Sequence, residues 1–124
     1  MDKITLEYHQ DINGKIQKKE LEFSKYLLKT PYTLESLFVI QVDGKSMEPF
    51  ISNKALVIAD LSQKKFENEK IFLIYKDNKM WIKKALIKEN EELFVSINPD
   101  FAHLVYKKED VRIIARAVLT FTSL

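Results

Sequence analysis

A chain of 124 residues can bury one core but not two, and 46% hydrophobic with 31% charged residues is the composition of a soluble globular domain. Its 20 basic and 18 acidic residues leave a net charge of +2, which gives no strong electrostatic instruction and does not by itself mark a nucleic-acid binder. Without cysteine there is no disulfide framework, thiolate metal site or cysteine nucleophile, so a cytoplasmic location is permitted; the start "MDKITLEYHQ" lacks a signal-peptide layout, and no apolar run approaches the roughly 18 to 20 residues of a membrane span.

Residues 1–36 are polar and mixed in periodicity, and Asn13-Gly14 is a hairpin turn signal between "ITLEYHQDI" and "KIQKKELEF". This segment reads as an extended or loosely paired arm. From Leu37 to the end at residue 124 six β-branched and aromatic runs follow: "LFVIQV", "ALVIAD", "KIFLIYK", "MWIKKALI", "ELFVSI" and "VRIIARAVLTF". Between the third, fourth and fifth lie the short polar turns "KDNK" and "KENE", so the middle of the chain is an antiparallel meander. The fold class is mainly β. The best helix signal is the short piece "SMEPF", with Pro49 in its first turn.

In "VDGKSMEPF" a serine stands two residues after Gly44 and three before Pro49. A serine hydroxyl attacks poorly unless something takes its proton. The two histidines, His9 in the arm and His103 in "NPDFAHLVY", lack motif-like surroundings. A lysine can serve if it is neutral, but an ordinary pKa near ~10.4 means that neutrality around pH 7 requires on the order of 4 kcal/mol of burial. Such a lysine belongs in an apolar strand, and "MWIKKALI" offers two. By strand alternation Lys83 shares a face with Trp81, and Lys84 with Ile82. The bland reading of the same residues is a surface turn with Ser46 bonded locally and Lys83 in solvent.

From Leu37 to Val118 the ordered segments "VDGKSMEP", "ALVIAD", "KIFLIYKDNKMWIKKALI", "ELFVSINPDF" and "VRIIARAVL" resemble the self-cleaving domain of LexA-type repressors, phage repressors and UmuD-type proteins. The resemblance implies a compact LexA C-terminal-like fold of antiparallel strands carrying the arm. It also implies Ser46 as nucleophile and Lys83 as general base, 37 residues apart, with no cofactor and no metal. Gly44 then turns the backbone sharply, Met47 packs against the strands, and the Met47 or Ser46 amide serves as oxyanion donor. Similar proteins cut their own arm at Ala-Gly or Cys-Gly. The upstream candidate here is Asn13-Gly14, with Asn13 standing 33 residues before Ser46; asparagine is larger and more polar than the family's residue, and "NG" reads equally as a plain hairpin turn.

The family's Gly-Asp before the second core strand is replaced by Asn53-Lys54, where asparagine would tolerate the left-handed turn. Residues 1–36 hold no helix-turn-helix, so DNA contact is expected only through a separate N-terminal domain, or not at all as in the UmuD type. A homodimer formed near the last strand and a recombinase-type co-protease are the partners implied, with no membrane. Two other readings remain: an inactive dimerisation module of the same fold, and a small β domain that binds single strands through Phe72, Tyr75 and Trp81 with Lys64-Lys65 and Lys107-Lys108.

Overall fold

A computed structural model describes residues 2–29 and 31–122. It is 52% strand and 10% helical, and all its strands run in two antiparallel sheets, so the chain is mainly β as its sequence predicts. The first sheet is a hairpin of β1 (Lys3–Ile12) and β2 (Lys15–Ser24). The second has seven strands: β3 (Leu37–Gln41), β4 (Leu56–Asp60), β5 (Ile71–Lys76), β6 (Lys79–Lys88), β7 (Glu91–Val95), β8 (Tyr106–Lys107) and β9 (Arg112–Phe121). Their order across the sheet is β3-β4-β9-β5-β6-β7-β8.

Three hairpins close through two-residue turns whose central residues both have positive φ: Asn13-Gly14, Asp77-Asn78 and Glu89-Asn90. That is the type I′ geometry, whose twist matches the strands it joins. The last two turns make β5, β6 and β7 the expected meander. All six apolar runs are strands; β8, two residues long, carries too little pattern to be read from sequence.

The arm is more ordered than its polarity suggests. β1 and β2 pair along their whole length, Lys3 opposite Ser24 through to Ile12 opposite Lys15. Ile4, Leu6 and Phe23 are buried at the root of the hairpin, in one cluster with Leu37, Val39 and Ile58 of β3 and β4. Alternation explains this: the pairs Ile4–Phe23 and Leu6–Leu21 fall on one face, and burying large apolar side chains stabilises by roughly 1.5–3 kcal/mol each. Beyond them the same face continues as Tyr8–Lys19 and Gln10–Gln17, so the distal half has no apolar pair to bury.

β9 changes partners along its length. Arg112–Arg116 pairs with β5, and Arg116–Phe121 pairs with β4. It therefore joins two wings, β3-β4 on one side and β5 to β8 on the other. The expected helical piece at Ser46 is instead a run of turns, with Glu48 N–H donating to the Lys45 carbonyl at 3.1 Å and Ile51 N–H to that of Met47 at 2.9 Å. The Glu48–Pro49 peptide is cis.

Candidate active site

The loop between β3 and β4 carries Ser46. Gly44 has a φ of +119°, a conformation closed to side-chain-bearing residues, and its amide donates to Asn53 Oδ1 at 2.9 Å. The left-handed position before β4 is Lys54, with φ +72°, and not Asn53 as expected from the sequence; Asn53 uses its side chain to hold Gly44. Met47, 2% exposed, anchors the loop in a cluster with Val42, Ile51, Ala55 and Val57. The neighbouring Ser46 is left half-buried, on the wall of a cleft of about 610 Å³ whose apolar lining includes Ile40, Met80, Trp81, Ile82 and Leu104.

Lys83 approaches from the opposite wing. Its register partner is Phe72 on β5, and both are 0% exposed. The amine meets Ser46 Oγ at 3.1 Å and Ser96 Oγ at 2.9 Å, and lies 5.6 Å from the Trp81 ring centre, on the face alternation assigns it. No carboxylate pairs with it among the described residues. Burial alone therefore lowers its pKa from 10.5 to about 8, because an ammonium loses hydration there and gains no counter-charge. Lys84 points to a separate groove shared with Ile71, Ile97 and Arg116.

The other buried ionisable residue, Asp60, behaves differently. Burial pushes its carboxyl up, but hydrogen bonds from the Ser62 and Gln63 side chains and from the Ser62 amide outweigh this and hold it below the usual range. It accepts these bonds at the end of β4, five residues past the Ser46 loop, and does not line the Ser46 cleft.

Among the described residues neither the Ser46 nor the Met47 amide donates to a protein acceptor, so both remain available beside the hydroxyl. His9 and His103 are exposed, and neither lines the cleft. Asn13 and Gly14 sit at the hairpin tip, and among the described residues none of the arm lines the Ser46 cleft. Of the three aromatics named for single strands, Phe72 is fully buried in a cluster with Phe66, Ile74 and Phe94, while Tyr75 and Trp81 are half-buried. Among the described residues no group of three or more histidines and carboxylates gathers as a metal site, and no helix is long and apolar enough to cross a membrane.

Sequence reasoning missed Ser96 and Asn98. Ser96 contacts the amine, while Asn98 donates its amide to the Ser46 carbonyl and its side-chain Nδ2 to that of Lys45, both at 2.9 Å. A serine just past a strand carries no signal of its own; the only clue is that it interrupts the apolar run "ELFVSI" next to its end, two residues before an asparagine-proline turn.

Compared directly with curated protein sequences, the chain has no significant match. The profile of the family described as Peptidase S24-like matches residues 5–118, from β1 almost to the end of β9, and so takes in the hairpin that the resemblance of residues 37–118 leaves out. A match over that much of the chain, on a mainly β fold, settles its kinship: the protein belongs to the Peptidase S24-like family, that of the LexA, UmuD and phage-repressor self-cleaving domains.

Proposed function

We propose that this is a serine-lysine peptidase domain that cleaves its own chain, the regulatory half of a LexA-like or phage-type repressor system. The observation that carries the reading is the Lys83 amine, fully buried, unpaired with any carboxylate among the described residues and 3.1 Å from Ser46 Oγ. With a pKa near 8, an appreciable fraction of the amine is neutral at physiological pH. Neutral Lys83 accepts the Ser46 proton as Oγ bonds to the carbonyl carbon of the scissile peptide. The Ser46 and Met47 amides face the developing oxyanion. The resulting ammonium returns the proton to the leaving amine, the C–N bond breaks, and water then releases the acyl group from Ser46 by the same route.

The candidate substrate is the Asn13-Gly14 bond. To be cut it must leave its type I′ turn and enter the cleft. The distal hairpin, which buries no residue between Glu7 and Leu21, opens at far lower cost than the root. Tethering the substrate supplies a high effective concentration, which favours cleavage even of a poorly shaped bond. A homodimer is part of the proposal, with contact through the faces of the sheet near β9, and DNA would be reached through a separate domain.

Intact mass spectrometry after long incubation at about pH 10, where nearly all Lys83 is neutral, tests the reading. The parent should release a fragment ending at Asn13, and Ser46→Ala and Lys83→Ala should not. Asparagine-glycine bonds also break spontaneously, so identical fragments from the parent and Ser46→Ala would assign the cut to solution chemistry and overturn the proposal.

A further inference from the structure

Lys83 has two hydroxyl neighbours, and the mechanism uses one. A neutral amine offers a single lone pair and two N–H groups. To act as base it must aim the lone pair at the Ser46 hydroxyl, and a freely rotating amine does so only part of the time. Ser96 Oγ, at 2.9 Å, is the nearer neighbour and is placed to accept one N–H. It is the first residue beyond β7, held by the ladder that pairs Val95 with Lys84 and Phe94 with Ala85. The alternation of β7 puts Ser96 on the face of Phe94, which register and alternation make the face of Ala85 and Lys83.

Two residues further on, Asn98 holds the nucleophile's own backbone through the carbonyls of Lys45 and Ser46. A three-residue segment thus touches the base at one end and the nucleophile loop at the other, and these come from different wings of the sheet.

We infer that Ser96 is a positioning residue: by accepting an N–H from Lys83 it fixes the rotation of the amine so that the lone pair faces Ser46, while Asn98 holds the serine in register with it. The inference rests on the serine-lysine reading. Ser96 reacts with nothing itself. Its oxygen favours the charged amine over the neutral one, since the ammonium is the stronger donor. Removing Ser96 therefore makes Lys83 easier to deprotonate and yet a worse base toward Ser46, a pair of effects that plain loosening of the fold does not produce together.

The test uses the whole chain and p-nitrophenyl acetate as an acyl probe, with acetylation of Ser46 followed by peptide mass spectrometry across pH. The Lys83 Nζ titration is read in parallel by nitrogen-15 NMR. Ser96→Ala, and Ser96→Cys as a variant that keeps the volume but weakens the acceptor, should lower the high-pH plateau by about tenfold or more and shift both midpoints to lower pH. Ser96→Thr, which restores the hydroxyl, should return the plateau to within about threefold of the parent. A parent plateau and midpoint in Ser96→Ala would overturn the inference, as would a lower plateau with an unmoved midpoint. The serine-lysine reading fails separately: in that case Lys83→Met acetylates Ser46 as fast as the parent, or the parent does not acetylate at all.

Discussion

Each strand of the hairpin is ten residues long, as is the strand that carries Lys83, and the two regions treat polarity in opposite ways. In the hairpin the apolar pairs gather at the root, and everything polar is left to water. In β6 a residue type that belongs at the surface is taken to zero exposure between strands that bury Phe72 and Phe94. The first pattern is what folding alone would select. The second opposes folding, because an unpaired buried amine destabilises the chain, and its position 3.1 Å from a half-buried serine supplies a reason for keeping it. Asp60 is buried to the same extent, but its hydrogen bonds outweigh the cost; Lys83 has no such compensation, and a buried charge of that kind beside a hydroxyl is what marks a candidate site.

The largest effect that could break this contrast lies at the hairpin root. Phe23, 5% exposed, packs on Phe121 of β9 with ring centres 5.9 Å apart. Phe23→Ala should lose about 3–4 kcal/mol of stability in urea unfolding, while the Lys83 titration in the folded protein stays where it was. A Lys83 midpoint that moved with Phe23 would show the two regions to be one.

Lys83→Met should move stability the other way. The native amine gives up its proton near pH 8 and the unfolded one near 10.5, so between these values the unfolded chain holds more protons and parent stability rises with pH. Below pH 8 the burial of Lys83 costs the parent about 3 kcal/mol relative to the neutral amine, to order of magnitude. Lys83→Met should therefore be the more stable protein at pH 7, with the gap narrowing toward pH 10.5 in paired denaturant titrations. A gap independent of pH would mean that the amine is not desolvated.

The smallest effect is expected at the hairpin tip. Ile16, 74% exposed, stands opposite Asp11 in the register. Ile16→Lys should leave the unfolding midpoint within about 0.5 kcal/mol of the parent. A larger loss would show that the tip is covered by something in solution, and that the distal hairpin is less open than its polarity implies.

Much of this contrast was legible in the sequence, for reasons that differ between residues. Asn13-Gly14, "KDNK" and "KENE" announce their turns because few residue pairs tolerate two left-handed positions in succession. Alternation puts Lys83 and Lys84 on opposite faces but gives each an apolar companion, Trp81 or Ile82, so parity alone did not choose between them; the resemblance to the LexA-type domains did. The docking of the hairpin was harder: Ile4, Leu6, Leu21 and Phe23 do alternate, but the charged residues between them hide the pattern at the level of composition. Asn53 was assigned the left-handed turn on propensity, whereas Lys54 takes it and Asn53 contributes a side-chain oxygen, a role that depends on where Gly44 lies in space. Ser96 and Asn98 could not be read at all, because their meaning comes from the distance between the end of β7 and two other elements, which no local rule encodes.

The divided pairing of β9 has a consequence in time as well as in space. The loop with Ser46 belongs to the β3-β4 wing and Lys83 to the β5-β8 wing, and the strand that lays one against the other comes after both in the chain. A ribosome extending at about 5–20 residues per second exposes Ser46 and Lys83 some seconds before it exposes the strand that joins their wings. Without β9 the contacts left between the wings include the hydrogen bonds of Asn98 and Lys83 to the Ser46 loop and the packing of Ile71, Ile82 and Ile97 on the Met47 cluster. A nascent chain that ends before Arg112 thus contains Ser46 and Lys83 without the strand that pairs with both of their wings.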